Sequence, residues 1–279
     1  AELARDLVSA AYVSLIESGV RRPSPELAKA LLARLGVDHD RDTRDQELLV
    51  KVVAATELGD TASARELLGH SEANSPQPSP RRRLAQALVD QRSGFFREAQ
   101  VEFLTLVDVF EAGSVEHLRA VRGACACARF TSSMAEPIAA ARRVLALPTE
   151  HDLGEHLQLK TTIRATTATL LSLSGDYESA LEMCHAAIEA ASSPWALASA
   201  MWVQALTYER QGRNELAAIC ARDALIHMRE GERPLERASI IMTACWLELQ
   251  ADLFDEASVT SRLDEVETVF LTHGNVDSR

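Results

Sequence analysis

Leu173-Ser174-Gly175-Asp176-Tyr177-Glu178-Ser179-Ala180 sets an alanine five residues after a glycine, inside flanks that are otherwise apolar and helix-favouring. The same spacing returns along the chain. Gly59 precedes Ala64, Gly94 precedes Ala99 and Gly212 precedes Ala217, and Asp252 stands in for the glycine ahead of Ala257. Gly59 and Gly94 are 35 residues apart, Gly175 and Gly212 are 37 apart, and Gly212 and Asp252 are 40 apart. The 81-residue gap between Gly94 and Gly175 predicts one degenerate copy around Ser132. A recurring interval of about this size is the mark of a unit that buries its apolar face only by stacking on a neighbour.

Composition supports helices as that unit. Of 279 residues, 47% are hydrophobic but only 5% aromatic. Alanine and leucine dominate, which favours helix over sheet. No apolar run reaches the ~18 residues of a membrane-spanning helix, and no basic start followed by an apolar block announces a signal peptide. The five cysteines, Cys125, Cys127, Cys184, Cys220 and Cys245, are odd in number and sit in apolar helical stretches, so they read as small buried hydrophobes in a reducing compartment. Cys125 and Cys127 alone make no metal or redox motif. The eight histidines form no metal-binding pair at helical spacing. No cofactor or metal is expected. With no glycine-rich phosphate loop and no nucleophile motif, an enzyme is not expected either.

The interval and its residues resemble the tetratricopeptide repeat, a helix–turn–helix unit of about 34 residues. The copy from Thr161 to Ala187 is the most complete, with Ala168, Gly175, Tyr177, Ala180 and Ala187 in family slots. That resemblance implies an all-α fold over residues 41–279, about six hairpins stacked into a right-handed superhelix with a concave inner face. Gly69 to Pro80, rich in serine and proline, reads as an exposed loop. Arg81-Arg82-Arg83 after it reads as a solvated helix start, with a phosphate patch as the alternative.

Residues 1–38 have a different grammar. A short helix at Leu3–Leu7 meets a second that Ser9 caps and Gly19 ends. Ser24 caps a third, with Pro25 at its first position and Glu26 in its first turn, stopping at Gly36. The string from Val8 to Gly19 (VSAAYVSLIESG), then Arg21-Arg22-Pro23-Ser24-Pro25-Glu26-Leu27 and Leu35-Gly36-Val37, resembles the XRE-type (lambda-repressor-like) DNA-binding domain. The resemblance implies a helix-turn-helix whose second helix enters the major groove. Ser9, Ala10, Ala11 and Ser14 would then face base edges or nearby phosphates. Ser18, Arg21 and Arg22 would hold phosphate, and Val8, Val13, Ile16, Leu27, Leu31 and Leu35 would form the core. Alanines let the helix seat deeply against thymine methyls, and arginines supply the charge attraction. The family has a further helix before the equivalent of residue 1 and a residue between the equivalents of Leu7 and Val8. The expectation is that native residues are missing from this stretch.

The net charge of -12 opposes nucleic-acid binding by the chain as a whole. Residues 1–37, however, hold five basic and four acidic residues, so the acidity belongs to the rest. A near-neutral head on an acidic body fits double-stranded DNA as a partner of the head.

In a tetratricopeptide unit the first helix of each pair lines the groove. Counting along those helices turns Arg81, Leu84, Leu88 and Arg92 inward, then Arg119, Arg122, Ala126 and Arg129, then Thr162, Ala165 and Thr169, then Trp202, Leu206 and Arg210, then Met242 and Trp246. Arginines at one end and tryptophans at the other suit a peptide or small anionic ligand, with guanidinium groups on a carboxylate and indoles on an apolar group. The alternative reading is that the tryptophans are inter-helix core and the arginines pair with acids. An XRE-type head on such repeats resembles the quorum-sensing peptide receptors of Gram-positive bacteria. This implies a cytoplasmic, nucleoid-associated regulator, a homodimer with no membrane association. The competing expectation is a helical-repeat scaffold for a protein partner, with a non-functional head.

Overall fold

A computed structural model describes residues 12, 23–24, 27, 30, 39–70, 78–148, 154–228 and 234–273. Among these, every regular element is an α-helix. The chain divides into two compact units, residues 1–93 and 94–279.

In the first unit, α1 (His39–Glu57), α2 (Thr61–His70) and α3 (Pro80–Arg92) pack on one another. Leu49, Val52, Ala64, Leu68, Leu84, Leu88 and Val89 form its buried apolar interior. The Arg81–Arg83 run lies in the first turn of α3, which opens as a Ser-Pro sequence should: Ser79 Oγ accepts from the Arg82 amide at 3.2 Å and Pro80 occupies the first turn. Arg82 donates to the Leu68 carbonyl (2.9 Å) and Arg81 pairs with Asp42. The expected loop is therefore shorter at both ends than Gly69–Pro80. Gly69 belongs to α2 and Pro80 to α3, while residues 71–77 lie outside the described residues.

The second unit runs α4 (Phe96–Val107), α5 (Val115–Thr131), α6 (Ala135–Leu145), α7 (Glu155–Leu173), α8 (Tyr177–Glu189), α9 (Pro194–Arg210), α10 (Asn214–Ile226), α11 (Pro234–Gln250) and α12 (Glu256–His273). Consecutive helices pack as antiparallel neighbours, and the long helices α5, α7 and α9 also pack side by side. Close approach is possible because the contact positions are small. Ala180, Cys184 and Ala187 of α8, and Ala217, Ala218, Ala221 and Ala224 of α10, are all fully buried.

The turns match the predicted periodicity. Gly59, Gly94, Gly175 and Gly212 have φ between +73° and +88°. Ser132 (φ 61°) and Asp252 (φ 55°) hold the same left-handed conformation, and they are the non-glycine residues with positive φ among those described. Both positions were reached from spacing alone. At Ser132 the local cost of that conformation is met by a long-range clasp. Buried Gln100 of α4 donates to the Ser133 carbonyl at 2.6 Å and accepts from the Thr131 hydroxyl. Five residues beyond the turns, Ala64, Ala99, Ala180 and Ala217 are fully buried, and Pro137 is buried too. Ala257 departs from the pattern: it is exposed, and Val259 and Val266 carry the packing of α12 on α11 instead.

Candidate functional site

The residues expected to read DNA, Ser9, Ala10, Ala11, Ser14, Ser18, Arg21 and Arg22, lie outside the described residues, as does most of the predicted small core. What is described nearby is local. Tyr12, Leu27 and Ala30 are helical, and the Leu27 amide donates to Ser24 Oγ at 3.3 Å, the N-cap bond that the Ser-Pro-Glu sequence demands.

The expected groove residues are distributed unevenly. In the first unit, Leu84 and Leu88 are core rather than groove, because α3 turns its apolar face onto α1. Arg81 is tied to Asp42, and Arg92 is exposed in the last turn of α3.

In the second unit, α5 presents Arg119, half-buried and paired with Glu155; Arg122 and Ala126, also half-buried, with Arg122 engaged by neighbouring groups; and Arg129 in the last turn. From α7 come Thr162, exposed, and Ala165 and Thr169, both buried. The two threonine hydroxyls donate to the carbonyls four residues back, Gln158 (2.9 Å) and Ala165 (3.1 Å), as helical threonines do.

On α9, Trp202, Leu206 and Arg210 share one face and are all half-buried. Trp202 packs against the core of Ala198, Ala224, Met228 and Ile240, and its indole Nε1 is buried with no hydrogen-bond partner. On α11, Met242 and Trp246 are about half exposed, at 47% and 56%. The tryptophans thus differ in kind: one belongs to the packing between helices and one stands at the surface.

The arginines differ in electrostatics. Arg81 and Arg119 have carboxylate partners. Arg210 donates instead to Ser172 Oγ and the Leu206 carbonyl, both at 3.3 Å, and Arg129 lies over the Phe130 ring, 5.7 Å from its centroid. Partial desolvation by the surrounding protein, and after it the Arg210 charge, hold the Arg129 guanidinium below its ordinary pKa.

Three features were not foreseen. Phe130, 61% exposed, stacks on Phe96 with ring centroids 4.1 Å apart. The signal for it was present, since both rings flank predicted turns. Gly123, in the middle of α5, leaves room for the Phe103 ring. Glu248 of α11, 2% exposed, is gripped by Arg222 of α10 (Nε–Oε1 3.1 Å) and by both amino groups of Arg262 of α12. Burial alone would raise its pKa, but the two guanidinium groups outweigh that and hold it below the usual carboxylate value. Arg262 is raised in turn, first by its hydrogen bond to Glu248.

The cysteines carry no site chemistry. All five are free thiols, and burial pushes Cys125, Cys127 and Cys184 up to about 12. Among the described residues no group of three His, Cys, Asp or Glu side chains is placed to hold a metal ion, and no helix is long and apolar enough to cross a membrane.

The described residues form helical hairpins, and residues 1–41 match the helix-turn-helix family. That match precedes the helical hairpins of the described residues. Among solved structures, BtubC (BKLC) from P. vanneervenii is similar, with a TM-score of 0.52 and 15% identity over 81% of this chain and 91% of that one. At that identity the likeness concerns the fold. PlcR of Bacillus thuringiensis, solved in complex with the peptide PapR7 and DNA, gives a TM-score of 0.46 at 14% identity, covering 97% of this chain and 88% of that one. A tetratricopeptide repeat protein from Parabacteroides merdae gives 0.32 at 14% identity, covering 81% and 99%. No curated protein sequence matches the chain.

Proposed function

We propose that this protein is a sequence-specific DNA-binding transcription regulator. In this reading residues 1–38 bind the duplex, and residues 41–279 dimerise, sense an effector, or do both, with the protein at the nucleoid. The helix-turn-helix match over residues 1–41 carries the reading. Ser9, Ala10, Ala11 and Ser14 on the second helix take the base edges, where small side chains let the helix backbone approach the groove floor. Ser18, Arg21 and Arg22 take phosphates, which fixes register without reading sequence. The base face offers no Arg, Asn or Gln, so selectivity rests on thymine methyl contacts, groove shape and the spacing of two half-sites in a homodimer. The effector is a peptide or a small anion received by the long helices of the repeats.

A gel shift against genomic fragments over a salt series tests it. Specific binding survives competitor DNA and weakens as salt rises. Replacing Arg21 or Arg22 by Ala lowers the log–log salt slope by about one each and weakens all sequences alike. If the protein shows no preference for any duplex sequence, the regulator reading is wrong and a helical scaffold for a protein partner remains.

A further inference from the structure

Of the groove arginines predicted from sequence, the fold neutralises Arg81 with Asp42 and Arg119 with Glu155. It treats Arg129 and Arg210 differently. Each sits in the last turn of its helix, α5 or α9, and α7 packs against both helices. Arg210 reaches the buried Ser172 in the last turn of α7. No carboxylate pairs with either guanidinium among the described residues, although the chain holds 41 acidic side chains against 29 basic ones. The electronegative ends of α5 and α9 help to hold one cation each. That does not explain two cations in the last turns of the two helices that flank α7, both left without an acid. Next to Arg129, the exposed Phe130 stacks on Phe96.

We propose that Arg129 and Arg210 clamp an oxyanion, a carboxylate or phosphate group of the effector, while Phe130 receives the apolar group next to it. The clamp rests on the reading of the repeats as an effector-binding domain. Two guanidinium forks present parallel N–H donors that fit the two oxygens of such a group, and the anion removes the repulsion between them. Burial first, and the Arg210 charge second, hold Arg129 below its ordinary pKa, and a bound anion would offset the second of these.

The test titrates the full chain, at fixed chloride ionic strength, with inorganic phosphate, with N-acetylphenylalanine and with its uncharged amide, reading heat and thermal midpoint. The clamp binds phosphate, N-acetylphenylalanine or both, and not the amide; which of the two binds tells whether the natural group is a phosphate or a carboxylate. Arg129→Gln and Arg210→Gln each weaken binding by roughly tenfold or more, the value of one charge-assisted hydrogen bond. Arg129→Gln leaves the thermal midpoint without ligand unchanged or higher, because a like charge is removed. Arg129→Lys, which keeps the charge and loses the fork, also binds more weakly. Binding of neither anion to the native chain, or equal binding to native and Gln variants, overturns the proposal. A chain that reads DNA specifically but fails this titration loses the clamp alone; one that passes it without any DNA preference loses the regulator reading alone.

Discussion

Replacing Gly123 by alanine should destabilise the second unit even though it improves the helix propensity of α5. A Cβ built at Gly123 would stand 2.5 Å from Phe103 Cζ and 2.6 Å from Cε1 and Cε2. Carbon atoms pack at about 3.5–4.0 Å, so the ring or the helix must yield by about 1 Å. Phe103 has no exposed surface and is held between α4 and α5, so it cannot swing into solvent. Forcing a methyl group into a full core costs about 1–3 kcal/mol, and alanine returns about 1 kcal/mol of helix propensity. The net loss is up to about 2 kcal/mol, a fall of up to roughly 8 °C in thermal midpoint for a unit of this size.

Thermal and urea melts followed by circular dichroism measure it. Phe103→Leu supplies the second arm: with the ring gone, Gly123→Ala becomes neutral or stabilising, and the cycle returns a coupling of about 2 kcal/mol. Gly69→Ala is the control, a helical glycine with nothing within 4 Å, and it gains up to about 1 kcal/mol. If Gly123→Ala is as stabilising as Gly69→Ala, the ring does not explain the glycine.

Glycine at Ser132 or Asp252 should stabilise by about 0.5–1 kcal/mol, because each now holds a left-handed backbone that costs an L-residue more than glycine; a lower thermal midpoint in both variants would contradict the turn assignment. Glu248→Gln should cost roughly 1.5–3 kcal/mol in urea melts, since Arg222 and Arg262 lose their shared carboxylate. The depressed pKa of Glu248 gives the pH sign. Its contribution is fully present above the ordinary carboxyl range and erodes as pH falls through that range toward its own lower value, so the gap between native and variant closes in acid. His117 acts at milder pH. It is buried, accepts the Gly113 amide on Nδ1 at 3.0 Å, and is held below its ordinary pKa first by burial and then by Arg143, against Asp108. The unfolded chain therefore takes up the proton first, and stability falls as pH drops through the ordinary value of 6.5; His117→Gln should flatten that slope between about pH 7 and 5.5.

How much could be read from residues alone depended on whether a feature is set by near neighbours. The turn positions were legible because a left-handed residue between two helices is a local demand. Glycine meets it at Gly59, Gly94, Gly175 and Gly212, and the interval then located Ser132 and Asp252 where no glycine marks them. The helix start at Ser24 was local in the same way, a side chain serving an amide three residues on, as Ser79 and Asp176 also do.

The groove was legible only as a list of candidates. Counting along a helix fixes which residues share a face, but not what the next helix places opposite. Leu84 and Leu88 were given to the groove and belong to the core, because the packing partner of α3 decides which of its faces is buried. The arginines were sorted by partners one repeat away: Asp42 lies 39 residues from Arg81 and Glu155 lies 36 from Arg119. The reason for Gly123 in the middle of α5 is Phe103, 20 positions earlier in α4, and spacing along one helix does not show it. The sequence by itself therefore determined the helical hairpins, their turns and the helix-turn-helix head, since propensity, capping and φ are settled within a few residues. Only the tertiary structure decided which charges are cancelled and which stay open, because Coulomb energy and packing depend on distances through space that a repeat of varying length does not encode.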